Sequence, residues 1–149
     1  GGVSPTATVN WWQGYHKDVV QKATGGGNEV ICCPTTFCYF DYAQDSTTIQ
    51  NLYTKGIVPQ NLTPQQKRLV KGIQANIWCE YIPSEARMQY MVFPRILALA
   101  EKAWTPEHQQ EWSYFQKRLE GQTKRLDAMK INYRPLDAGY TRGFNMWNR

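Results

Sequence analysis

Trp78 and Glu80 stand two positions apart in the segment Gly-Ile-Gln-Ala-Asn-Ile-Trp-Cys-Glu, residues 72–80. The upstream residues Ile73, Ala75 and Ile77 alternate as a strand does, which puts the indole and the carboxylate at its C-terminal end. In parallel α/β proteins that end is where ligands bind. Tyr39-Phe40-Asp41 repeats the layout, and Trp11-Trp12 repeats it in part. A flat aromatic beside a buried acceptor suits a molecule with an apolar face and hydroxyl edges, and a sugar ring is such a molecule. The carboxylate would supply charge-assisted bonds to the hydroxyls.

Each of these residues also has a plainer reading. Trp12 and Trp78 suit a hydrophobic core equally well. Asp41 suits a turn or a helix cap. Glu80 suits a pair with a nearby arginine. Tyr39 competes with Tyr15, Tyr42, Tyr53 and Tyr81 for any role a phenol could take. Neighbours on a strand face opposite ways, so Trp11 points away from Trp12. Arg95 and Glu101 read as a structural ion pair or cap, and His16 and His108 as surface groups.

The composition narrows the class. A chain of 149 residues with 42% hydrophobic and 19% charged residues suits one globular domain. The net charge of +5 is uneven: Lys17 and Lys22 stand against Asp18, Glu29, Asp41 and Asp45 in the first third. A nucleic-acid groove needs basic residues beside its aromatics, whereas here the aromatics neighbour Asp41 and Glu80, so nucleic acid is not an expected partner. Cys32, Cys33, Cys38 and Cys79 contain no CxxC spacing, so neither a zinc site nor any other cofactor is expected. All four fall in or beside expected strands and read as buried free thiols. No stretch approaches the roughly 20 apolar residues of a membrane-spanning helix.

The elements follow from punctuation and periodicity. Thr6–Trp12 reads as a strand and Tyr15–Thr24 as a helix ended by Gly25-Gly26-Gly27. Glu29–Cys33 reads as a strand covered on both faces, followed by an extended segment over Thr36–Asp41. Residues 44–66 read as a long connection. Thr63 and Pro64 open a short helix through Lys71, and a strand over Ile73–Trp78 follows. Arg87–Trp104 reads as one helix interrupted at Pro94, with Met88, Met91, Val92, Leu99 and Ala103 inward. Thr105 and Pro106 are expected to open the last helix, striped by Trp112, Phe115, Leu119, Leu126 and Met129. Residues 132–149 read as an irregular tail. Strand, helix, strand, helix, strand, helix, helix means a parallel α/β fold. With about three strands it is too short for an eight-stranded barrel of about 250 residues.

In order and spacing, Tyr39-Phe40-Asp41, Trp78-Cys79-Glu80, Phe93-Pro94-Arg95 and Ala100-Glu101-Lys102-Ala103-Trp104 resemble family 20 glycoside hydrolases, the β-N-acetylhexosaminidases. The likeness covers most of residues 7–130. It implies the last three parallel strands of a (β/α)8 barrel, with residues 1–106 as the barrel portion and 107–149 as a closing helix and tail of the same domain. In that family the substrate's own acetamido oxygen is the nucleophile, an exception to the two-carboxylate scheme. The resemblance gives Tyr39 the catalytic role of hydrogen bonding to that oxygen. It makes Trp12 and Trp78 the pocket walls, and Asp41 and Glu80 acceptors for sugar hydroxyls.

The departure is equally specific. The family's adjacent Asp-Glu pair, which supplies the general acid, occurs nowhere in this sequence. The expectation is therefore a C-terminal portion of a hexosaminidase, with an N-acetylhexosamine-containing glycan as partner and little or no hydrolysis by this chain alone. The rival reading is a stand-alone sugar-binding or protein-interaction module built on the half barrel. Either way, two open strand edges favour self-association. The family implies an exported or periplasmic location.

Overall fold

Three valines in line open the sheet. Val9 pairs with Val30, and Val30 with Val70, in a parallel sheet of order β1-β2-β3. The strands are β1 (Val9–Trp11), β2 (Val30–Cys32) and β3 (Val70–Ile73). The computed structural model describes residues 2–16 and 18–143. The fold is the expected parallel α/β arrangement, a portion of a (β/α)8 barrel.

Helix α1 (Asp18–Gly25) connects β1 to β2. It buries Val20 and Thr24, whose hydroxyl donates to the Val20 carbonyl at 2.7 Å. Gly27 then turns the chain at φ +88°, a conformation that costs glycine little. Between β2 and β3 lie three helices: α2 (Thr35–Cys38), α3 (Thr48–Thr54) and α4 (Pro64–Leu69). The segment Thr36–Asp41 is thus helical at first and extended only from Tyr39. Pro34 fixes the entry to the turn, and the Cys38 N–H bonds back to the Pro34 carbonyl at 2.9 Å. Helix α3 lies inside the expected connection and buries Ile49, Leu52 and Tyr53, an i, i+3, i+4 stripe. Thr63 caps α4 through a reciprocal box with Gln66, and Pro64 takes the first turn.

The third strand starts earlier than the alternation suggests. It covers Val70–Ile73, and residues 74–78 continue as an extended segment bonded to the neighbouring chain. The Gln74 N–H donates to the Cys32 carbonyl at 3.0 Å and the Asn76 N–H to the Cys38 carbonyl at 2.7 Å. Cys79–Tyr81 then form a 3-10 turn. Cys79 is exposed there, unlike the buried Cys32, Cys33 and Cys38.

Pro94 separates α5 (Glu85–Val92) from α6 (Arg95–Trp104). Met91, Ala98 and Leu99 face the core, whereas Met88 and Ala103 are exposed, because the break resets the inward face. Helix α7 (Trp112–Ala128) begins later than Thr105. Its cap is Glu111, whose carboxylate accepts from the N–H groups of Ser113 and Tyr114 at 3.1 and 2.9 Å. The Ser113 hydroxyl, which donates to the same carboxylate at 2.6 Å, and then these backbone bonds hold the Glu111 carboxyl below its usual range. Phe115, Leu119 and Leu126 are buried; Met129 lies past the helix end and is exposed. Phe115 stacks on Tyr53 at 4.6 Å between ring centroids, which joins α7 to α3. Arg95 and Glu101 do not pair. Glu101 instead meets Arg118 and accepts from the Tyr53 hydroxyl at 3.0 Å.

Candidate functional site

One periodicity builds the cavity. Past β3, residues 74, 76 and 78 of the extended segment share a face while Ile73, Ala75 and Ile77 take the other. That face supplies Gln74, Asn76 and Trp78, and the 3-10 turn supplies Glu80, to a cavity of about 890 Å³ at the C-terminal ends of the strands. From β1 come Asn10 and, just past its end, Trp12, again two apart. Cys33 follows β2, and Tyr39, Asp41 and Tyr42 follow α2. The fold therefore brings together all five residues that the sequence singled out: Trp12, Tyr39, Asp41, Trp78 and Glu80.

Exposure separates their surroundings. Trp12 is 46% and Trp78 54% exposed, so neither indole is core. Trp11 is buried on the opposite side, its indole N–H donating to the carbonyls of Gln13 and His16 at 3.1 and 3.0 Å. Asp41 is only 2% exposed, and its Oδ1 has no hydrogen-bond partner among the described residues. Glu80 is exposed on the 3-10 turn.

A short ladder carries Tyr39 and Asp41. The insertion of α2 interrupts the pairing of β2, and Tyr39 rejoins the sheet in a parallel bridge with Asn76. The Phe40 N–H donates to the Asn76 carbonyl at 2.7 Å. With the backbone fixed, Phe40 points into the core at 1% exposure while its neighbours face the cavity. Full burial of such a ring is worth about 2–3 kcal/mol, so Phe40 anchors the two polar residues beside it.

Arg95 fixes the same segment from beneath. It is 2% exposed at the start of α6. Its Nε donates to the Met91 carbonyl at 2.7 Å, its Nη2 to the Phe40 carbonyl, and its guanidinium lies 4.5 Å over the Phe40 ring. Burial pulls Arg95 down to about 9, and the Asp41 charge opposes that shift. Burial likewise pushes the Asp41 carboxyl up. Backbone N–H groups of Asp41 and Trp78 oppose the rise, Glu80 adds to it and Arg95 opposes it. Burial also raises the Tyr39 phenol, with help from Cys33 and Tyr42, against a hydrogen bond with Trp78. Tyr39 is thus a protonated phenol at neutral pH, able to donate.

Sequence reasoning missed Asn10, Cys33, Gln74 and Asn76. The Cys33 thiol donates to Asn10 Oδ1 at 2.6 Å, and Gln74 Nε2 donates to Asn76 Oδ1 at 2.6 Å. These pairs leave amide groups at the cavity floor. Their signal was available: polar side chains at alternate positions of otherwise apolar strands. Among the described residues no group of three or more His, Cys, Asp or Glu is arranged to hold a metal ion.

Fold and site together define an α/β-barrel protein with a strand-end cavity walled by indoles and floored by amides and a buried carboxylate. The catalytic-domain model of glycosyl hydrolase family 20 matches residues 2–107, and the chain belongs to that family. A β-hexosaminidase of Porphyromonas gingivalis is 34% identical over 145 residues, spanning 89% of this chain and 18% of that protein. One of Akkermansia muciniphila is 28% identical over 127 residues, 77% of this chain and 25% of that protein. The chain thus spans a quarter or less of the length of these two relatives. Among solved structures, a family 20 exo-β-N-acetylglucosaminidase of Vibrio harveyi in complex with N-acetylglucosamine superimposes with a TM-score of 0.77 at 28% identity. It covers 90% of this chain and 23% of that one. The family 20 β-N-acetylhexosaminidase of Streptomyces coelicolor gives 0.74 at 25% identity, over 85% and 29%.

Proposed function

We propose that the cavity is one side of an N-acetylhexosamine subsite of a family 20 glycoside hydrolase. The observation that carries this reading is the convergence of Trp12, Tyr39, Asp41, Trp78 and Glu80 on a single strand-end cavity. The half-exposed indoles offer apolar walls to an acetamido methyl and to the C–H face of the sugar. Tyr39, kept protonated, donates to the acetamido oxygen as that oxygen attacks the anomeric carbon. A donor aimed at the oxygen orients it, and Trp78 in turn steadies the phenol. Asp41 presents a carboxylate oxygen that has no partner among the described residues and that a sugar hydroxyl can satisfy. Glu80, exposed at the rim, accepts from a second hydroxyl.

The general acid has no counterpart among these residues, because no Asp-Glu pair exists in the chain. The barrel portion, closed by the described residues from 107 onward, supplies binding and orientation in this reading; proton donation to the leaving oxygen is not supplied by any of the residues named. The chain alone therefore binds N-acetylglucosamine and does not turn over an N-acetylglucosaminide chromogenic substrate. The test is that assay with the chain at high concentration. No release of chromophore fits the proposal. Robust release abolished by Tyr39→Phe would show that the missing acid had been given too much weight.

A further inference from the structure

Residues 132–143 lie beyond the stretch matched by the family model, yet they press on the back of the cavity. Thr141 and Gln44 form an antiparallel bridge, with N–H to carbonyl distances of 2.7 and 3.1 Å. Gly143 then passes over the backbone of Asp41, Tyr42 and Ala43. A Cβ at Gly143 would fall within 2.6 Å of the Ala43 nitrogen and of the Tyr42 carbonyl carbon, and would also strike the Asp41 carbonyl oxygen. Backbone atoms cannot step aside as a side-chain tip can, so this approach requires glycine.

Arg134 shapes the strap. It is 1% exposed and meets oxygens of the tail itself. Its Nε donates to Thr141 Oγ1 at 3.1 Å, and its Nη2 to the carbonyls of Ala138 and Gly139, both at 2.5 Å. Its own N–H donates to the Phe93 carbonyl at 3.1 Å. A buried cation is costly unless its donors are met, and here they are met only when residues 135–141 take one loop shape. Asn132 ties the start of the strap to α5 by donating to the Ala86 carbonyl and Gln89 Oε1, both at 2.8 Å. Arg87 donates to the Arg142 carbonyl near its end.

We propose that this C-terminal strap positions the sugar-binding loop. Gly143 and Arg134 are positioning residues that hold Asp41 and Tyr39 in their binding geometry without reaching the cavity. Arg95 fixes the loop at the Phe40 carbonyl and the strap fixes it at residues 41–44. The assignment to sugar binding rests on the proposed subsite; the clamping of residues 39–44 does not.

Hydrogen exchange by NMR and titration with N-acetylglucosamine separate the two. In Gly143→Ala the Phe40 amide, bonded to Asn76 and not to the tail, should exchange at least about tenfold faster, while the Cys33 amide between β1 and β2 keeps its wild-type rate. Affinity for N-acetylglucosamine should fall about tenfold with unchanged global unfolding. Gly121→Ala, a site in α7 where a Cβ meets nothing within 4 Å, serves as the matched control and should change neither. Thr141→Val removes one acceptor of Arg134 and should shift both readouts in the same direction by less, which keeps the test alive if Gly143→Ala does not fold. Wild-type exchange at Phe40 in a folded Gly143→Ala or Thr141→Val protein overturns the strap. Faster exchange with undiminished sugar affinity overturns its positioning role. A wild-type chain that binds no sugar sinks the subsite and the positioning role together, while the exchange data still decide the clamp.

Discussion

At the residue scale, burial gives Asp41 and Tyr39 their character. Asp41 sits inside the molecule with one oxygen unpartnered among the described residues and a carboxyl raised by burial, so ionising it works against folding. The sign follows from linkage. Between the ordinary value of 3.8 and the raised native value, the folded state holds the proton more tightly than the unfolded state. Stability from this residue therefore declines as pH rises through that window. Urea unfolding of wild type and Asp41→Asn, compared from pH 3.5 upward, should show wild type losing stability relative to the variant until Asp41 is fully ionised. A difference that stays flat with pH would contradict the burial argument. The same substitution should weaken sugar affinity, because a carboxylate accepts a stronger bond than an amide does. Tyr39→Phe removes one donor and should cost about 1 kcal/mol of binding, roughly fivefold in the dissociation constant, measured by calorimetric titration.

At the element scale, the cavity depends on where strands stop and helices interrupt them. The parallel order and the strand-end aromatics were legible because valine runs, glycines and prolines punctuate the chain. The site faces were legible in period two, although attention to Ile73, Ala75 and Ile77 hid the polar partners Gln74 and Asn76 on the other face. Three features were not legible. Helix α2 is four residues long, too short to show a period. Helix α3 reads as polar because only Ile49, Leu52 and Tyr53 face inward. The start of α7 went to Thr105-Pro106, a good local cap signal, but packing begins only where Trp112 and Phe115 reach Tyr53. The Thr63 cap illustrates a local rule that held. Thr63 Oγ1 accepts from the Gln66 N–H at 3.3 Å, and Gln66 Nε2 donates to the Gln21 carbonyl of α1 at 3.0 Å. Thr63→Ala should lower unfolding stability by about 1 kcal/mol in denaturant titration, with N-acetylglucosamine affinity unaltered.

At the scale of the whole molecule, the sheet among the described residues has three strands, with β1 and β3 at its edges. Such edges carry unpaired backbone groups that favour pairing with another strand. Beside β3, a second cavity of about 540 Å³ is lined by Ile57, Val70, Ile73, Lys102 and Gln110 among others. Self-association along these edges is expected to make sedimentation velocity concentration-dependent; a monomer at all concentrations would argue against it. The strap extends the same theme, because Arg134 and Gly143 connect a tail outside the family match to the loop that carries Asp41.

All three scales meet at the cavity, and its occupant is the central claim. The direct measurement is an NMR titration of the chain with N-acetylglucosamine and, in parallel, with glucose, following the indole N–H signals of Trp12 and Trp78. A saturable shift of both signals by N-acetylglucosamine, much weaker with glucose and lost in Trp78→Ala for the remaining indole, is the predicted result. Shifts of equal size with both sugars, or none with either, would contradict an acetamido-binding subsite at Trp12, Tyr39, Asp41, Trp78 and Glu80.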